Sequence, residues 1–248
     1  MFVTEHRVNL FNSLLDVTEA YRLARLKDLD TFLQNAAMLA KTHAMGPSVG
    51  CFILHRHNDL DDSEHMVRSE RINQHGQIGV VTRAERRERD DALEPVSFKV
   101  EMVDGEFSLS PVEFSSLERD KVAAQALLTN QNFLRAFAQL VYDAEFEEII
   151  GLTVVSAVEL ENPALTYIEE YAIFNGVREN VVYPAHIGDV LPDSAIPTTW
   201  RLSSSDDPDK RKTWDPSKGP KPEYVCFRVC VPYSPGHAIE HRACPNWV

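Results

Sequence analysis

The chain has 248 residues, enough for one large domain or two small ones, and its 44% hydrophobic content excludes general disorder. A formal charge of −13 argues against nucleic acid or an anionic membrane surface as the main partner, because both need a basic footprint. Four cysteines make no disulfide framework in a chain this long, and no apolar run approaches the roughly 20 residues that span a bilayer, so reduced thiols in a cytoplasmic setting are expected.

The start, MFVTEHRVNLFNSLLDV, has neither the basic region and apolar core of a secretory leader nor an Arg-rich presequence. The first 45 residues read as helix, with Leu23, Leu26, Leu29, Phe32, Leu33, Ala36, Leu39 and Ala40 at helical spacing. Gly46-Pro47 ends that helix and feeds the stretch Ser48–Leu60, SVGCFILHRHNDL. Its short, β-branched and non-alternating apolar run predicts a central, solvent-shielded strand over Ser48–His55. Residues 58–95 are mostly charged and read as a solvated face or loop, with one short strand at Ile78–Val81. Val96, Phe98, Val100 and Met102 then alternate with polar residues, Asp104-Gly105 supplies a turn, and Phe107 and Leu109 resume the face, so a hairpin is expected with Pro111 limiting its return.

Ser115 or Ser116 is placed to cap a helix from Leu117, and Asn130 to break it before a second helix carrying Phe133, Phe137, Leu140 and Val141. Strand character returns at LTVVSAV from Leu152 and again over Leu165–Tyr183, where Asn175-Gly176 is a hairpin signal. Residues 188–222, rich in proline and serine, read as a long loop with one strand near Thr199–Leu202. A last strand, Tyr224–Val231, leads into a short C-terminal helix. Helices and hairpins are segregated and nothing reads as repeated βαβ, which predicts a single α+β domain over 1–248: an antiparallel or mixed sheet with helices packed on it.

Two histidine pairs carry the candidate chemistry. His55 and His57 alternate at the end of a strand, which places both rings on one face, roughly 6.5 Å apart along the backbone. His237 and His241 are i and i+4 neighbours if a helix starts at Ser234-Pro235, with Cys244 a turn further on. The missing glutamate after His237 excludes a metalloprotease helix of the His-Glu-x-x-His kind. Glu169 and Glu170 face opposite sides of their strand, so one of them points inward. Cys226 and Cys230 are four apart on a strand, which puts them on one face about 13 Å apart, and they read as buried core thiols that share no ion.

LHRHNDL, the later Cys-x3-Cys and the Gly-His-x3-His stretch resemble a group of uncharacterised fungal hypothetical proteins with a Leu-His-x-His pattern. In that group Phe often stands where this chain has Asn58, and the resemblance implies no activity. The leading expectation is a cytoplasmic small-molecule enzyme with a histidine-rich site for zinc or iron. His55, His57, His237 and His241 would be ligands, and Glu170 or Glu169 the fourth ligand or general base. The catalytic candidates are thus Glu170, His55 and His57. Metal-free acid–base chemistry, as in a cyclase or isomerase, and a non-catalytic interaction protein are the alternatives. Convergence of the two histidine pairs on one site is the sharpest form of the metal expectation, since it would also cover Ile239 and Trp247.

Overall fold

In the computed structural model, which describes residues 1–72, 78–86, 93–161, 166–174, 177–185, 194–202 and 224–232, the sheet closes on itself. In chain order the described elements are β1 (Phe2–Val3), α1 (Val8–Asn12), α2 (Val17–Leu26), α3 (Leu29–Thr42), β2 (Val49–Ile53) and β3 (Glu64–Ile72). There follow β4 (Ile78–Arg86), β5 (Glu94–Val103), β6 (Glu106–Ser115), α4 (Glu118–Thr129), α5 (Gln131–Asp143) and β7 (Ile150–Val154). The remainder are α6 (Ala157–Glu161), β8 (Tyr167–Phe174), β9 (Val177–Pro184), β10 (Ile196–Arg201) and β11 (Val225–Val231). The hydrogen-bonded order is β6-β3-β4-β9-β8-β11-β10-β2-β7-β5, and β5 pairs back onto β6. Ten strands therefore form a closed barrel, with β1 added alongside β6.

The expected α+β arrangement of helices on a sheet is corrected by this closure. The seam is small: β3 meets β6 in parallel only at Val67↔Phe114 and Arg68↔Ser115. A contact of that size has no periodic trace in a sequence, yet it turns a layer into an enclosed lumen.

The N-terminal helical reading holds, with breaks. Asp16 accepts hydrogen bonds from the Thr18 and Glu19 N–H groups and starts α2; Asp28 does the same for α3 through Thr31. Asn130 ends α4 and caps α5 by accepting from Phe133 N–H, as expected. Phe32, Leu33 and Ala36 of α3 and Phe133, Phe137 and Val141 of α5 pack on Val49, Cys51 and Ile53 of β2 and their neighbours on β5 and β7. The helices thus clothe the outside of one half of the barrel. β2 lies between β10 and β7 with Cys51 and Ile53 fully buried, the central shielded strand the sequence predicts.

Two expectations along the chain are overturned. Residues 58–95 are not a solvated loop, because β3 and β4 form a long antiparallel pair from Glu64↔Arg86 to Ile72↔Ile78. Their charges sit in ion pairs on the outer surface, where Glu179 of β9 holds Arg71 at 2.7 Å, or face the lumen, as Arg68 does. Pro111 does not stop β6 either; the strand continues to Ser115, and the register with β5 absorbs the proline through irregularities at Pro95 and Ser97. The Asn175-Gly176 turn lies outside the described residues, but β8 and β9 on either side of it pair antiparallel from Tyr167↔Pro184 to Phe174↔Val177. The long 188–222 loop also falls largely outside them, apart from β10 and its flanks.

Alternation gives every strand an inner face, and the inner faces are layered. At one end Phe11 and Leu14, just before α2, seat on Leu54, Leu60, Met66 and Val112. At the other, Val158 of α6 packs with Val80, Val155, Tyr167, Val182 and Phe227. Between these apolar plugs lies a polar belt. Along β3 it follows Met66 with Arg68; along β4 it sets Thr82 beyond Val80, and along β9 it sets Asn180 beyond Val182. Gly151 makes room inside, since a Cβ there would lie 2.7 Å from the Phe98 carbonyl and 2.4 Å from the Phe52 ring.

Candidate metal centre

β2 ends at Ile53, and the three residues after Leu54 turn into the belt. Backbone and guanidinium of Arg56 donate to Leu15 O and Leu14 O, which ties this turn to the apolar plug. His55 Nδ1 lies 2.8 Å from Ile53 O, so it carries the proton and donates, leaving Nε2 as a lone pair aimed inward. His57 Nε2 lies 3.1 Å from His55 Nε2, 3.6 Å from Glu169 Oε1 and 3.8 Å from Cys230 Sγ. One donor atom from each of His55, His57, Glu169 and Cys230 lies within 4.8 Å of every other. Tyr171 stacks on the His57 ring with 6.2 Å between centroids and fixes its plane.

These separations have the size of the edges of a coordination tetrahedron. Metal–nitrogen bonds of about 2.05 Å and a metal–sulfur bond of about 2.3 Å give nitrogen–nitrogen edges of about 3.4 Å and nitrogen–sulfur edges of about 3.6 Å. Without an ion the same atoms satisfy one another poorly. A single N–H···N bond joins the two imidazoles, and its proton occupies the Nε2 that Glu169 and Cys230 both approach.

The electrostatics lead the same way. Burial, reinforced by the neighbouring His57, lowers the pKa of His55 and keeps it neutral, the form that ligates. Burial alone would raise the Glu169 carboxyl, but the hydrogen bond with His57 and the nearby His55 and Arg228 hold it well below the usual carboxylate range. Burial and the Glu169 charge push the Cys230 thiol far up, so it needs an adjacent cation to ionise. Around the belt the guanidiniums of Arg68 and Arg228 are engaged by the carboxylates of Glu113 and Glu159.

The belt is also held from outside the cluster. Glu159, fully buried on α6, receives Nε and Nη2 of Arg228 at 3.0 and 2.7 Å. It also forms a reciprocal cap with Ser156, whose N–H reaches its carboxylate. Arg68 donates to Val154 O and to Glu113, and Ser97 Oγ donates to the same Glu113 oxygen at 2.7 Å. A cavity of about 30 Å³ opens beside His55, His57 and Glu169, with Glu113, Thr153, Asn180 and Arg228 in its wall.

Of the residues singled out from sequence, the structure brings His55 and His57 together, but after the strand and not along it. Of the acidic pair it turns Glu169 inward, while Glu170, on the opposite face, stays away from the cluster. His237, His241 and Cys244 lie outside the described residues, as does their convergence with the first pair. The one-face reading of Cys226 and Cys230 is corrected. The β10–β11 register is irregular around Thr199, so Cys226 packs outward with the helical layer and Cys230 enters the lumen beside His57. Cys230 thus belongs with the candidate ligands and not with the inert core. The signal for it lay in YVCFRVCV: Arg228 inside an apolar strand marks a polar inner face, and Cys230 shares that face by alternation.

No family model, curated protein or solved structure matches the chain. No helix among the described residues is long and apolar enough to cross a membrane.

Proposed function

We propose that the protein is a metal-dependent enzyme acting on a small molecule, with one zinc or iron(II) ion bound inside the barrel by His55, His57, Glu169 and Cys230. The observation that carries this reading is the convergence of four donor atoms of the right kinds within 4.8 Å. Two imidazoles, a carboxylate and a thiolate suit zinc and also accommodate iron(II). The ion would supply Lewis acidity to a bound water or a carbonyl group. The chain's own groups do the rest: Ile53 O sets the tautomer of His55, Tyr171 sets the plane of His57, and the two apolar plugs keep bulk water from the centre. Cys51 and Cys230 are free thiols, which suits the reducing environment of the cytoplasm.

The metal-free acid–base alternative is less well supported, because the short contact between the two Nε2 atoms engages both imidazoles with each other. Elemental analysis of the purified protein tests the proposal. One zinc or iron per chain is expected, with His57→Ala and Cys230→Ser each losing it and Glu170→Gln retaining it. Protein that carries no metal after incubation with either ion under reducing conditions sinks the reading.

A further inference from the structure

Four protein donors complete a tetrahedron, yet the surroundings of this one are built for another ligand. Asn180 is 7% exposed and lines the same cavity as His55, His57 and Glu169, and its Oδ1 finds no hydrogen-bond partner. Its place follows from the sheet: on β9 it stands opposite Tyr171 of β8, the residue stacked on His57, and two residues from Val182, which faces Glu169. A buried amide oxygen left unpaired costs about 1–3 kcal/mol, so an acceptor at this point implies a donor that belongs there. Of the other polar groups in the cavity wall, Glu113 is engaged by Ser97 and Arg68, and Arg228 by Glu159.

We propose that the ion carries an exchangeable fifth ligand in this cavity: a small neutral molecule, water at rest, that donates a hydrogen bond to Asn180 Oδ1. The proposal rests on the metal reading above and deepens it. Size and charge set the ligand class. A cavity of about 30 Å³ holds water or one species of two or three heavy atoms, and no organic substrate of ordinary bulk. An acceptor oxygen repels an anion, and the carboxylates of Glu113 and Glu169 stand in the same wall. The molecule that exchanges with water is therefore neutral and two or three heavy atoms long, and Asn180 selects for one that can donate a proton.

Anaerobic loading with iron(II) followed by nitric oxide, a neutral diatomic, tests this directly. Protein shown by elemental analysis to hold one iron per chain should give the half-integer-spin EPR signal of a high-spin iron–nitrosyl. Replacing Asn180 should ease the displacement of water: Asn180→Leu should bind nitric oxide roughly fivefold more tightly, the factor for one lost hydrogen bond, while Asn180→Asp, which keeps an acceptor, should stay near the wild-type affinity. Full iron loading with no nitrosyl signal would show that the protein donors saturate the ion, and the open position is then wrong while the metal centre stands. A normal signal with unchanged affinity in Asn180→Leu removes Asn180 from the role. Failure to load iron or zinc at all overturns the metal reading and this inference together.

Discussion

His55 does two jobs through its two nitrogens. Nδ1 is spent on Ile53 O, so only Nε2 is free to meet an ion, and the ring stays neutral because burial and His57 depress its pKa below the ordinary 6.5. The consequence for the metal-free protein has a definite sign. A histidine that resists protonation when folded binds its proton more readily unfolded, so the contribution is intact above pH 6.5 and declines as pH falls below it. Glu169, held below its ordinary 4.5, adds a loss in the same direction at more acidic pH. Thermal melts in the presence of a chelator should therefore show the midpoint falling from pH 7.5 to pH 5.5; a midpoint that rises over that interval contradicts the buried, neutral His55.

At the scale of elements, the strand that organises the centre was legible and the strands that complete it were not. β2 announces itself by a short apolar run, and the β5–β6 hairpin by alternation and Asp104-Gly105, which takes the left-handed conformation a tight turn needs. Ile78–Val81 was legible as the start of β4, but β3 and the rest of β4 escaped because both of their faces carry charge. Arg68 points into a polar lumen while Arg71 and Arg83 pair with Glu179 outside, so the pattern of one apolar and one polar face disappears. Cys230 escaped because its spacing pairs it with Cys226 as a core thiol, whereas the β10–β11 irregularity turns Cys226 to the outer face and leaves Cys230 on the face of Arg228. The fit between β2 and β7 is tight enough to test. In Gly151→Ala the new methyl meets the Phe98 carbonyl as well as the movable Phe52 ring, and backbone cannot give way cheaply. We expect a loss of about 1–3 kcal/mol by urea denaturation, with the strand contacts around Phe52 disturbed. A variant as stable as the parent would mean that β2 and β7 pack more loosely than described.

For the molecule as a whole, an ion at this centre would act as a cross-link. Its donors come from the turn after β2, from β8 and from β11, three separate parts of the ring. Metal that binds only the folded barrel stabilises it by about 4 kcal/mol when present at a thousandfold excess over its dissociation constant. For a domain of this size that corresponds to roughly 10 °C in melting temperature. Chelator should lower the midpoint by that order and added zinc should restore it, whereas Cys230→Ser should respond much less to either. Equal response in the variant and the parent would place the stabilising ion elsewhere.

The position of β11 has a consequence for how the molecule is made. In the ring it separates β8 from β10, yet among the described strands it is the last to be synthesised. Until it is in place the barrel is an open ribbon whose β8 and β10 edges are free to template onto another chain. Cys230 arrives on the same strand, so the full donor set cannot exist before the ring is shut. Ion capture therefore marks the end of assembly, and nascent chains stalled ahead of β11 are the population in which aggregation competes with folding.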